Sequence, residues 1–578
     1  MPNLRWLCTP LPCALILCLA NVFKPPVIDD VAYLWYVRQI QQTPQQPFGP
    51  PPDGFALIWY YEQQGAFSLL TPMVVPYWLA IGATWFGENI PLLKLWLFPF
   101  CWLFTASLYS LLRRFAPGWE RPLLIMTVLS PTILPSVNLM IDLPALALAL
   151  SAIVLFFRAI AAPKTNYFNV VLSGLVAGLA AQTKYNAAVA AAAIFWAGIC
   201  HRRKVAGLVA LLLAIGVFAS WELYLKSVYG QSHFLYQIDV QAQRFKPPAL
   251  DPNASATDKL LTKIEHFLDK KANFIAPLFG YLGGLLSALA LLAATALRVP
   301  GRFIRWGALF VALGFVLMAT VPNTWAVYFR DEKGQEEVTL GTLFISITGA
   351  AFAMAGLAVA WYLGFRGWSQ FRIRLRRDPA TWFLIGWAML EIAGYFVLSP
   401  FAAARRVMGF VVAVTLMIGR LLARTSRAEE SRARARIPII LGIALGIFFG
   451  VVDFLDAFPE NRAATAAVQW IRSQPGGDGR IWYAGHWGFQ YAAEKAGAKP
   501  IYPDHFELEP GDWVILPEGY RPYAQEVILT EDIADLKLVM AWGIDMGVRT
   551  IPEYYCGYMP MRHHEGPRVT VRIYRMTR

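Results

Sequence analysis

Six ionisable residues in an otherwise apolar chain carry the chemistry this sequence can do. Asp29 and Asp30 stand side by side after the first apolar stretch, in KPPVIDDVAYLWYVRQI. Asp142 opens a later apolar run in NLMIDLPALALAL, and Lys184 lies between two others in GLAAQTKYNAAVAA. Arg405 and Arg406 begin a further one in LSPFAAARRVMGF. Ionisable groups at membrane depth cost at least about 2.5–3.5 kcal/mol at a helix centre, so they persist where they pair, line a cavity or react. Carboxylates beside cations suit a group transfer from a phosphate. A carboxylate takes the proton of an attacking hydroxyl as general base. Lysine or arginine neutralises the departing phosphate, with the guanidinium fork matched to phosphate oxygens. Each residue also has a plainer reading. Asp29 and Asp30 can end a span in solvent, Asp142 can favour a helix N-terminus, and Lys184 can snorkel to an interface.

The elements that must position these groups are membrane spans. The 578 residues are 57% hydrophobic and 15% charged, where a soluble domain carries about 25% charged residues. The mean hydropathy is +0.44. Apolar runs long enough for a roughly 30 Å hydrocarbon core recur along the chain, and about thirteen read as transmembrane helices. They begin near 7–22, 90–112, 122–138, 143–157, 168–183, 187–200 and 205–225, and continue near 274–297, 306–321, 340–363, 381–398, 407–422 and 437–454. The apolar piece 67–86 contains TPMVVPYW, and its prolines place it in the interface or as a re-entrant segment. The expected fold is a polytopic α-helical membrane domain over 1–458, with a first outer loop at 23–89, followed by a small α/β domain over 459–578. In that tail GRIWYAG and GDWVILPE read as strands and HWGFQYAAEKAG as a helix ending at Gly497.

Charge sets the expected orientation. A net charge of +13 could point to nucleic acid or an anionic surface. The excess bases, however, sit in short loops: Arg113 and Arg114, His201 to Lys204, Arg372 to Asp378, and Arg424 to Arg436. Under the positive-inside rule these loops are cytoplasmic, so no nucleic-acid partner is expected. The N-terminus is then cytoplasmic, and all six ionisable residues and the α/β tail face outward. Cys18-Leu-Ala-Asn loosely resembles a cleavage site, but the preceding stretch has only Arg5 as a base, so the first span is expected to stay. No CxxC or Cys/His metal spacing appears, and Cys556 alone lies in the tail. His563 and His564 read as surface residues, and His486 as packing or capping a helix. DKLLTKIEHFLDKK reads as an amphipathic outer stretch on the membrane surface.

The order of these features resembles the GT-C glycosyltransferases, in particular the family-39-like branch. That branch holds protein O-mannosyltransferases, lipid A aminoarabinose transferases and rhizobial lipopolysaccharide sugar transferases. DDVAYLWYVRQI is similar to the branch's acidic pair and tyrosine-rich helix, with Asp30 in place of the usual glutamate. LLTPMVVPYWLAIGATWFGEN resembles its proline-led helix ending in Phe-Gly, Asp142 its later span-opening aspartate, Gly174 to Lys184 its Gly-Leu to Thr-Lys segment, and ARRVMG its late Ala-Arg-Tyr motif. The resemblance implies a polyprenyl-phosphate (lipid-linked) sugar donor and a lipid, glycan or protein acceptor at the outer face. It makes Asp29 or Asp30 the base, with Asp29 first, and the other acid and Asp142 supporting groups. Lys184, Arg405 and Arg406 become phosphate-side residues. A divalent metal stays open as a cofactor, because oligosaccharyltransferase relatives use one and other members do not. A bacterial inner membrane is the expected location. The alternative is a secondary transporter or lipid flippase. Transporters show matching halves and midplane charges, whereas this chain has no evident repeat and gathers its charges at one face. A catalytically inactive scaffold of the same family is a third reading.

Overall fold

The computed structural model describes residues 9–49, 72–244, 255, 257, 262, 274–320, 326–328, 337–365, 378–399, 402–425, 428–501, 508–519, 535–545, 550–552, 554–555, 562–563 and 566–577. The protein is a polytopic α-helical membrane protein with a small C-terminal α/β unit. Among the described residues, eight helices are long and apolar enough to cross a membrane, or nine if a pair bent by 69° within 277–296 counts as one span. Four more apolar helices are shorter: Pro10–Leu19, Val74–Phe86, Tyr167–Ala181 and Tyr185–Cys200.

The expected spans therefore divide into full and short ones. The stretch near 122–138 departs most. It forms only a nine-residue helix, Glu120–Val128, before turns and a 3-10 turn at Leu134–Ser136. Pro131 and Pro135 explain the break, since each lacks an N–H for the helical ladder. The segment Val74–Phe86 is helical despite Pro76, because Pro76 falls in the first turn, where no intrahelical donor is needed.

Small residues bring the helices that flank the candidate site together. Helix Tyr167–Ala181 packs on Lys204–Tyr229 through Gly174 and Gly178. A Cβ at Gly174 would lie 2.6 Å from the Ala210 carbonyl oxygen, and one at Gly178 would lie 2.6 Å from the Val217 Cβ. This is the small-xxx-small route to close helix approach in membranes. Helix Asp142–Ala159 packs between Tyr167–Ala181 and Phe98–Phe115.

The C-terminal unit has the expected strands at Ile481–Tyr483 and Trp513–Gly519 and the expected helix at Trp487–Lys495. Its five-stranded sheet runs in the order Lys499–Pro500, Ile481–Tyr483, Trp513–Gly519, Val569–Met576, Leu536–Ile544. The first three strands are parallel and the last two pairings antiparallel. Helices Phe458–Arg472 and Trp487–Lys495 pack against each other, and the first of them also packs on the sheet. The second also packs on Asp30–Gln42, the aromatic helix after the acidic pair, so the tail helps fix the segment that follows the first helix. The stretch 258–271 lies outside the described residues except Thr262, as do Cys556 and His564.

Candidate active site

The backbone around the acidic pair turns sharply. Ile28 has φ 43°, an outlier for a β-branched residue. The Asp30 N–H donates to the Val27 carbonyl at 3.0 Å, and the Val27 N–H donates back to Asp30 Oδ2 at 3.0 Å. These two bonds close a tight turn just before helix Asp30–Gln42, whose N-cap, Asp29, makes no side-chain cap bond and so leaves its carboxylate to other partners. Asp29 and Asp30 consequently meet different partners.

Asp29 reaches across 376 positions of sequence to Arg405, whose Nη2 lies 3.0 Å from Asp29 Oδ2. The Nη1 of Arg405 lies 3.5 Å from Asp142 Oδ2. The other Asp142 oxygen accepts from Lys184 Nζ. Asp29, Arg405, Asp142 and Lys184 thus form one continuous chain of alternating charge. Arg406 interacts electrostatically with both carboxylates and with Lys184, and Tyr33 of the aromatic helix with both arginines. The side chains at the two ends of the chain keep access to solvent, 15% for Asp29 and 11% for Lys184, while Arg405 and Asp142 between them are buried. Burial lowers the Lys184 ammonium to about 8, against the opposing pull of Asp142.

Asp30 belongs elsewhere. It is fully buried and turns toward Lys94 and Lys24, and burial raises its carboxyl to about 6 while Lys94 and the Val27 N–H hold it down. Around it lies a second polar cluster. Lys24 Nζ pairs with Asp453 and donates to Tyr555 Oη at 2.7 Å. Asn138 also donates to Tyr555 Oη, and Lys94 Nζ donates to the Lys24 carbonyl at 2.6 Å. Tyr555 and its neighbour Tyr554 come from the C-terminal region, where Tyr554 Oη donates to the Thr132 carbonyl at 2.9 Å.

Of the six residues singled out in the sequence, the structure gathers Asp29, Asp142, Lys184, Arg405 and Arg406 and sets Asp30 apart. Sequence reasoning missed Lys24, Lys94, Asp453 and Tyr555, because no local pattern announces a pairing across 429 positions. Glu391, inside a membrane helix, was missed too. Its carboxylate accepts from Trp387 Nε1 at 2.8 Å and interacts electrostatically with Lys184. An acid within an apolar helix was the available signal. His486 is buried at the start of helix Trp487–Lys495, and His563 lies in a two-residue strand.

A divalent ion would have to share Asp29 and Asp142 with Arg405 and Lys184. No three His, Cys, Asp or Glu side chains come together to hold a metal among the described residues. The described residues around Asp29 and Asp142 do not fit a divalent-metal site.

No protein-family model matches the chain, and no curated protein sequence matches it. Solved structures show distant likeness. The archaeal oligosaccharyltransferase AglB of Archaeoglobus fulgidus, in complex with an inhibitory peptide and a dolichol-phosphate, aligns at 14% identity and a TM-score of 0.45 over 89% of this chain and 69% of its own. The apo oligosaccharyltransferase of the same organism aligns at 15% identity and a TM-score of 0.48. That alignment takes in 86% of this chain and 64% of the archaeal one, so this chain spans less than two thirds of its length. ArnT from Cupriavidus metallidurans, bound to undecaprenyl phosphate, aligns over 99% of this chain and 98% of its own at 13% identity and a TM-score of 0.37. One fold hosts many activities, so the activity has to be argued from the side chains.

Proposed function

We propose that this protein is an integral-membrane glycosyltransferase of the GT-C type that moves a sugar from a polyprenyl-phosphate donor to a lipid, glycan or protein acceptor. The observation that carries the reading is the chain Asp29–Arg405–Asp142–Lys184, which alternates in sign and is accessible at both ends. Four separated parts of the sequence converge on it, and three of its members sit at or beside the ends of membrane helices. A donor whose lipid tail lies in the bilayer presents its phosphate at that level.

In this reading Asp29 is the general base. It accepts the proton of the acceptor hydroxyl as that oxygen bonds to the anomeric carbon. The bond from that carbon to the phosphate oxygen breaks, and its electron pair stays on the lipid phosphate. Lys184 and Arg406 neutralise the charge that develops there. Arg405 aims Asp29 and ties it to Asp142, and Asp142 in turn holds Lys184. Asp30 is a structural acid that builds the turn carrying Asp29. The membrane domain over 1–458 holds the chemistry, and the 459–578 domain covers the first outer loop. The loop charges favour a cytoplasmic N-terminus and a site on the outer face of a bacterial inner membrane.

The test is sugar transfer from a synthetic polyprenyl-phosphate donor by purified enzyme, comparing wild type with Asp29→Asn. Full activity in the variant would remove Asp29 as the base. A reporter fused after Phe458 tests the sidedness, and a cytoplasmic signal would overturn it.

A further inference from the structure

Lys184 stands at a break between two helical segments. It is one extended residue, φ −159° and ψ 126°, between helix Tyr167–Ala181 and the 3-10 turn Tyr185–Ala188. Asp142 holds the ammonium, but the stem is long, so the joint that carries it must also be fixed for the proposed reaction to find the ammonium at one place.

The restraint on the joint comes from a residue outside the site. Glu222 lies near the end of helix Lys204–Tyr229 and is buried. An acid in a membrane helix is expensive unless something uses it. Its Oε1 accepts from Gln182 Nε2 at 3.4 Å and from Tyr185 Oη at 3.3 Å. These two donors bracket Lys184, two residues before it and one after. Its Oε2 accepts from Ser232 Oγ at 2.7 Å and from the Phe234 N–H at 3.0 Å, which ties the start of helix His233–Arg244 to the same carboxylate. Tyr185 Oη also bonds His233 Nδ1. His233 in turn stacks on Phe48 of the first outer loop, with ring centroids 4.9 Å apart. On the far side of the joint, Asn186 Nδ2 donates to Ser399 Oγ at 3.0 Å, on the approach to Arg405.

We infer that Glu222 is a positioning residue for the transfer: its carboxylate clamps the Gln182–Tyr185 joint so that Lys184 meets the donor phosphate. The inference rests on the phosphate role given to Lys184 above. Glu222 touches neither substrate nor Lys184 itself, and a carboxylate with four donors is suited to fixing a joint because each oxygen takes two bonds. Misplacing a binding group by about 1 Å can cost on the order of 100-fold in rate, so loosening this joint should be visible in turnover.

The experiment is a double-mutant cycle on kcat/KM for a synthetic polyprenyl-phosphate sugar, with Glu222→Ala and Lys184→Ala made singly and together. Glu222→Gln and Tyr185→Phe serve as milder variants that keep the side-chain shape. Thermal unfolding in detergent checks that each protein is folded. In the native background Glu222→Ala is expected to lower kcat/KM by roughly tenfold or more. Glu222→Gln and Tyr185→Phe should fall between it and wild type. In the Lys184→Ala background the further loss should shrink to about twofold or less. An equal loss in both backgrounds, or no loss in the native one, overturns the clamp while leaving the phosphate role of Lys184 standing. Unchanged kcat/KM in Lys184→Ala alone removes that role, and the clamp with it.

Discussion

Two buried clusters of charge lie within one turn of chain of each other, and they are built differently. The cluster of Lys24, Asp453, Tyr555, Asn138, Lys94 and Asp30 is closed: the Lys24 and Asp453 side chains have 0% and 2% exposure, and Lys24 and Lys94 meet acceptors on several sides. The Asp29–Arg405–Asp142–Lys184 chain has the same ingredients but open ends. A closed cluster ties elements together, here the segment after the first helix, the end of helix Ala428–Leu455 and the C-terminal region. An open chain can exchange one partner for a substrate. The turn at Ile28 separates the two by directing neighbouring aspartates to different sides.

The largest effect should come from the open chain. Asp29→Asn is expected to reduce kcat by about 10²–10⁴-fold, the usual worth of a positioned general base, with a smaller drop in the detergent unfolding midpoint than Lys24→Ala, because Arg405 keeps Asp142 as a partner. The closed cluster should respond the opposite way. Lys24→Ala leaves Asp453 buried without its cation, a change that costs about 3–5 kcal/mol when one partner of a buried pair is removed. Its mark should be a lower unfolding midpoint and yield, with turnover per folded molecule close to wild type. If Asp29→Asn melts early or Lys24→Ala folds normally and loses turnover, the division between the clusters is wrong.

Proton concentration sharpens the same contrast. The Lys184 ammonium is lowered to about 8, and the proposed role needs it protonated. The kcat/KM for the donor, which reports the free enzyme, should therefore fall as pH rises through about 8 and hold below it. Lys184→Arg keeps its charge far above that range, so the alkaline limb should disappear even where the maximal rate drops. A limb that stays at the same pH in the arginine variant would assign it to another group.

Much of the open chain was legible in the sequence because its members break a local rule. Asp142, Lys184 and the arginine pair interrupt or begin apolar runs, and membrane cost makes each conspicuous. The closed cluster was not legible in this way. Lys24 reads as an ordinary loop residue, Asp30 reads as half of a reactive pair rather than as a buried partner of lysines, and Tyr555 lies in a tail whose strands reveal nothing about where its tyrosines dock. The spans were legible by composition, but their lengths were not. Pro131 and Pro135 shorten one to a nine-residue helix, and Gly174 and Gly178 mark a packing face that hydropathy alone does not separate from lipid-facing surface.

A third ion pair marks the lower limit of the comparison. Arg38, on the aromatic helix, forms a two-pronged bond to Glu88, with Nη2 to Oε2 at 2.7 Å. Both side chains are more than a third exposed, so solvent screens the attraction, and pairs of this kind contribute about 0–1 kcal/mol. The pair nevertheless lies beside Lys495 and Tyr491 of the C-terminal helix, which add to the local field. Arg38→Ala should shift the unfolding midpoint only slightly and leave kcat for sugar transfer within about twofold, with the difference vanishing at high salt as exposed charges are screened. A larger, salt-independent loss of turnover would make Arg38 part of the site, and the line between structural and reactive charge would then run through the aromatic helix itself.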